Sequence, residues 1–132
     1  MPTSAHGSFQ VEMKPLSDAP AQDGVTLGRL SLKKVFKGDL AATGDGEMLT
    51  ATTATPGSAG YVAIERVSGS LHGRSGSFVL QHTGVMTRGA PSLNIQVVPD
   101  SGTGELQGLS GQLLIKIEAG KHHYELVYEL PG

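Results

Sequence analysis

A glutamate, a histidine and a tyrosine can share one place in this chain if two neighbouring stretches pair as the arms of a hairpin. The segment YVAIERVSGSLHGRSGSFVLQH, residues 61–82, alternates apolar and polar residues with a period of two, the pattern of β-strands. Placing His72-Gly73 in a two-residue turn sets Leu71 opposite Arg74, and pairs Val67 with Phe78, Glu65 with Leu80 and Ala63 with His82. Tyr61, Glu65, Val67, Phe78, Leu80 and His82 then share one sheet face, and Glu65 becomes a diagonal neighbour of His82. A carboxylate beside an imidazole in a partly dry cavity can tune a general base near neutral pH, which proton abstraction or isomerisation requires. The plainer reading is that a buried Glu65 and His82 satisfy one another, with Tyr124 or Arg74 completing a structural network.

Other chemical signals are weaker. His122 and His123 are adjacent, and neighbours on a strand point to opposite faces, so the two do not share a metal ion. GTGELQG has the spacing G-x-G-x-x-x-G and leads into β alternation, without the helix that a dinucleotide-binding loop requires. GRSGS has Ser77 where the G-x-S-x-G nucleophile elbow needs its last glycine. No catalytic residue is assigned, and no metal or cofactor is expected. The ligand-binding candidates are Tyr61, Glu65, Phe78, His82 and Tyr124.

These side chains must be positioned by strands, since no segment sustains a helical stripe between breakers. A first strand is expected at 7–14, after a disordered 1–6, followed by the polar connection PLSDAPAQDG. A long strand starts near Val25 and is interrupted by a bulge or bend at Gly38. Asp45-Gly46 then supplies a hairpin turn, and the returning strand runs to about Thr55. Leu93, Ile95 and Val97 alternate in a later strand. The last hairpin, with Gly120-Lys121 in its turn, pairs Lys116 with Glu125 and Glu118 with His123, while Leu113, Ile115 and Ile117 meet Tyr128, Leu126 and Tyr124.

The tally is about eight antiparallel strands in one domain, residues 1–132, and glycines inside strands at 28, 69 and 76 suit the tight coiling of a small closed β-barrel. Glycine is 19 of 132 residues, about twice the usual share of roughly 7%, and is spread as strand punctuation. A net charge of −2 with scattered basic residues gives no footprint for nucleic acid. Cysteine is absent, which removes thiol chemistry and disulfides and fits a reducing cytoplasm. The start MPTSAHGSFQ lacks the pattern of an export signal, and no apolar run reaches membrane-spanning length. Val62, Ile64 and Val79 lie opposite in phase to Glu65 and His82, so they would expose apolar surface on a monomer; a homo-oligomer, dimer or trimer, is the economical explanation.

Gly102, Gly104, Gly108 and Gly111, followed by Gln112 and an alternating strand, resemble the glycine-rich segment of the allene oxide cyclase-like barrels, which include the plant dirigent proteins. Together with GSAGYVAIERVSGSLHGRSGSFVLQHTGVM and the terminal HHYELVYEL, the chain is similar to a bacterial domain-of-unknown-function family within that superfamily. The resemblance implies an all-β, eight-stranded antiparallel barrel, commonly assembled into a homo-oligomer. It carries over no catalytic residue. Two readings follow: a barrel holding a small, mostly apolar organic molecule in its lumen, with or without isomerase- or cyclase-like acid–base chemistry, and a non-catalytic oligomeric barrel filled by side chains.

Overall fold

The computed structural model describes residues 2–17 and 20–131. Eight antiparallel strands close into one barrel in chain order: β1 (Thr3–Pro15), β2 (Val25–Gly38), β3 (Leu40–Thr53), β4 (Ala59–Leu71), β5 (Arg74–Thr87), β6 (Ala90–Val97), β7 (Ser110–Glu118) and β8 (Lys121–Glu129). A 3₁₀ turn, Gly104–Leu106, lies in the β6–β7 connection. Among the described residues no helix is long and apolar enough to cross a membrane.

The β4–β5 hairpin has the expected register, with Ala63 opposite His82, Glu65 opposite Leu80 and Val67 opposite Phe78. Its turn residues His72 and Gly73 have φ of 48° and 80°, the left-handed pair that matches strand twist in a two-residue hairpin. Elsewhere the sequence signals misplace turns. Asp45-Gly46 is no hairpin turn: it sits inside β3, and the chain reverses at Gly38, with φ of 107°, and Asp39. Gly46 is needed for close strand approach, since a Cβ there would lie 2.0 Å from the Ile64 carbonyl oxygen. Asp45 belongs instead to an outward row of alternating charge, Glu12, Lys33, Asp45 and Arg66, each paired in register with the next. The last hairpin turns at Ala119-Gly120, so the pairs are Lys116 with His123, Ile115 with Tyr124 and Leu113 with Leu126. That slip of two keeps every side chain on its expected face, which is why alternation alone does not detect it. Residues 3–6, expected to be disordered, form the start of β1 and pair with 125–128 of β8. The polar connection begins after Pro15, and its residues 18 and 19 lie outside the described residues.

The barrel is a cup. At one end Ala5, Leu40, Leu71, Phe78, Leu126 and Tyr128 are buried, and the β6–β7 connection seals them with Leu106 and Leu109. The same connection shields part of outward Val79, whose N–H donates to Ser101 Oγ at 3.0 Å. At the other end inward-facing apolar side chains are left open, with Met13 50%, Met86 42%, Leu93 45% and Ile117 64% exposed. The barrel is thinnest between β6 and β7, where Gln96 opposite Gln112 is the one register pair among the described residues. Amides of β6 and β7 that face this seam are expected to exchange with deuterium faster than those of β4 and β5; equal protection would contradict the seam.

Tyr124 fastens the closed end. Its hydroxyl accepts from the Leu40 N–H at 2.9 Å and donates towards the Lys37 and Leu40 carbonyls at 2.9 and 3.1 Å. Tyr124→Phe is expected to cost about 1–3 kcal/mol in a denaturant melt, because a buried amide loses its acceptor. Beside it His72 Nδ1 bonds the Tyr128 hydroxyl, and its Nε2 lies 3.5 Å from Asp39 Oδ2. The backbone N–H of His6 donates to that same carboxylate oxygen at 2.9 Å and holds Asp39 below its usual pKa.

Candidate functional site

Three ionisable side chains meet inside the barrel. Glu65 projects inward from β4, His82 from β5 and Lys34 from β2, with 0%, 3% and 6% of their surfaces exposed. Lys34 Nζ lies 3.2 Å and His82 Nε2 2.9 Å from the same oxygen, Glu65 Oε1. With Lys34 as ammonium and Glu65 as carboxylate, both neighbours donate to Oε1; in the neutral imidazole this places the His82 proton on Nε2 and makes Nδ1 the acceptor. Lys34 also stands 4.9 Å from the centroid of Phe9 and 5.8 Å from that of Phe36, so aromatic faces complete its surroundings. The second carboxylate oxygen, Glu65 Oε2, is buried without a hydrogen-bond partner among the described residues. It occupies space left by Gly44, where a Cβ would lie 2.1 Å away.

The expected pair is therefore present, but its third member is Lys34 rather than Tyr124 or Arg74. Sequence parity held the signal: in LSLKKVFKG, Lys34 shares the phase of Leu32 and Phe36, both buried. Phe78 lies deeper, in the sealed apolar core, and Tyr124 spends its hydroxyl on the β2–β3 turn. His122 and His123 face opposite ways; His122 packs against Phe9 with the rings tilted by 40° and centroids 5.1 Å apart, and His123 lies opposite Lys116 in the β7–β8 register.

Tyr61 is placed differently from the cluster. Its ring lies against Gly84 on β5, where a Cβ would come within 2.3 Å of Cε1. Gly84 is the next inward position after His82, towards the open end, so the ring sits one inward step beyond the histidine on that side. Above it opens a cleft of about 240 Å³ whose walls include Thr50, Tyr61, Met86, Pro91 and Leu93 and no charged residue. Neither Glu65 nor His82 lines it. A larger hollow of about 450 Å³ borders Lys34 and Gly44, but Gln10, Glu12, Lys33 and Asp45 in its wall point outward, which makes it a surface groove across β1–β3 and not the lumen.

Burial raises the Tyr61 hydroxyl above its ordinary pKa of 10.0, and does the same for Tyr124 and Tyr128. A raised folded pKa means that the folded state holds these protons more tightly than the unfolded chain. Their contribution to stability is present below about pH 10 and lost as pH rises through the folded values. Stability is expected to fall above pH 10 as phenolate absorbance rises; phenolate appearing well before unfolding would contradict the burial.

A model of the family described as Protein of unknown function (DUF3224) matches residues 5–128. The chain belongs to the DUF3224 family. A crystal structure of a protein with unknown function from this family, from Shewanella oneidensis MR-1, is 51% identical, with a TM-score of 0.96 over 100% of this chain and 99% of that one. A comparison with curated proteins gives no match. The DUF3224 barrel is thus an experimentally observed fold for sequences this similar.

Proposed function

We propose that this DUF3224 barrel binds a small, mostly apolar molecule through its open end, above the Lys34–Glu65–His82 cluster. The observation that carries this reading is the asymmetry of the cup. Inward side chains are sealed at one end and left half exposed, apolar and uncharged at the other. The allene oxide cyclase-like resemblance supports a lumen site, and the His82 imidazole, oriented by Glu65, is suited to take a proton from a ligand that enters from the cleft and displaces the Tyr61 ring. Binding is tested with the neutral probe N-phenyl-1-naphthylamine, whose fluorescence rises in apolar surroundings. Leu93→Glu with Met86→Arg, both at exposed positions, should abolish the signal while leaving the fold intact by circular dichroism. Signal retained in that variant would place the probe elsewhere.

A second reading has its own observation. Leu49 faces Val62 across β3 and β4 on the outside of the barrel, and Leu49, Val62 and Ile64 are 58%, 50% and 54% exposed. With Glu65 and His82 sealed, the chain also suits a non-catalytic barrel that self-associates through this face. Light scattering at micromolar concentration separates the two. A monomer that binds the probe favours the first, and an oligomer dispersed by Val62→Glu without probe binding favours the second.

A further inference from the structure

We infer that the open end selects an uncharged ligand carrying a hydrogen-bond donor, an alcohol or a phenol, whose hydroxyl donates to Glu65 Oε2. This rests on the open-end binding proposed above and adds the chemical class of the ligand. Two observations carry it. Oε2 is a buried carboxylate oxygen with no donor among the described residues, and such an atom demands one. The charge around it is already balanced, because Lys34 Nζ lies 3.2 Å from the other oxygen of the same carboxylate.

Charge and hydrogen bonding together exclude the other common ligand classes. A ligand carboxylate has no donor for Oε2 and meets a second anion, with no uncompensated cation nearby. A ligand ammonium could donate, but it would add a positive charge beside Lys34 in a site whose approach is lined by Thr50, Tyr61, Met86, Pro91 and Leu93. An ether or ketone leaves Oε2 unsatisfied. A neutral hydroxyl answers the need without adding charge, through a charge-assisted O–H···O⁻ bond. The cleft volume of about 240 Å³ suits a body of one or two rings. Tyr61 and Gly84 line the cleft while Glu65 and His82 do not, and Oε2 lies deeper, over Gly44, so the hydroxyl end reaches it by displacing the Tyr61 ring from its seat on Gly84.

The test uses the intact native chain and probes sharing one ring skeleton: 2-naphthol, 2-methoxynaphthalene, 2-naphthoate and 2-naphthylmethylammonium, titrated calorimetrically at neutral pH. The expected result is 2-naphthol binding about tenfold or more tighter than each of the other three. In the charge-neutral variant Lys34→Met/Glu65→Leu the advantage of 2-naphthol over its methyl ether should vanish. If naphthol and its ether bind the native chain equally, open-end binding stands and the assignment of a hydroxyl to Oε2 is overturned, a trapped water being its donor. Tightest binding of the carboxylate or the ammonium overturns it as well. If no probe binds, the open-end reading fails and takes this inference with it. The native-chain series decides the matter even where the double variant does not fold.

Discussion

Lys34→Met should destabilise the barrel by about 3–5 kcal/mol, the scale seen when one partner of a buried ion pair is removed. The reason is the charge left behind. Glu65 is 0% exposed, and without the ammonium its carboxylate keeps the His82 N–H as its one remaining donor among the described residues. The lost contacts to Phe9 and Phe36 add a smaller share, about 0.5–2 kcal/mol. Replacing both partners tests the origin of the loss. Lys34→Met/Glu65→Leu removes the uncompensated charge, so it should be more stable than Lys34→Met alone. It should still fall short of the native chain by about 1–3 kcal/mol, because His82 Nε2–H then lacks its acceptor. Urea melts of the native chain, both single variants and the double variant complete the cycle. A loss below about 1 kcal/mol for Lys34→Met would mean that Lys34 does not compensate Glu65 in solution.

Much of this arrangement is legible in the sequence wherever strand parity decides. Tyr61, Glu65 and His82 share an inward face because the His72-Gly73 turn fixes the register of β4 and β5, and the structure has that register. What parity cannot supply is pairing between strands distant in sequence. Lys34 reaches Glu65 across β3, thirty-one residues away, through the registers of Lys34 with Gly44 and Gly46 with Glu65. The misplaced Asp45-Gly46 turn obscured both steps, since a reversal there would have divided β3. A glycine after an aspartate reads locally as a turn, yet here it is selected by the neighbouring strand, whose backbone leaves no room for a Cβ. The two-residue slip in the last hairpin has a related cause. Gly120 signals a turn, but two positions for the turn give the same alternation, and Ala119 at φ of 51° offers no local hint that it occupies one. The open and closed ends are still less legible, because they depend on the β6–β7 connection crossing one end of the barrel.

Gly44→Ala should disrupt the cluster as strongly as removing Lys34, although it deletes nothing. The added Cβ would lie 2.1 Å from Glu65 Oε2, 3.0 Å from Cδ and 3.3 Å from Cγ. Because successive atoms of the side chain crowd it, turning the carboxylate about its last bond does not relieve the clash; the whole side chain must leave Lys34 and His82 or β3 must move. Crowding a packed core costs about 1–3 kcal/mol, and separating the ion pair adds to that. Gly73→Ala is the control. It meets no atom within 4 Å, but its φ of +80° imposes backbone strain, with an expected cost of about 1–2 kcal/mol and no change at His82. Two measurements distinguish the variants. Nitrogen-detected NMR of the His82 ring should report loss of the Nε2–H bond in Gly44→Ala alone. In a Glu65→Ala background, where the crowded atoms are absent, Gly44→Ala should have little further effect on stability. If the two changes add instead of coupling, the space over Gly44 is not what seats the carboxylate, and Oε2 lies elsewhere in the barrel.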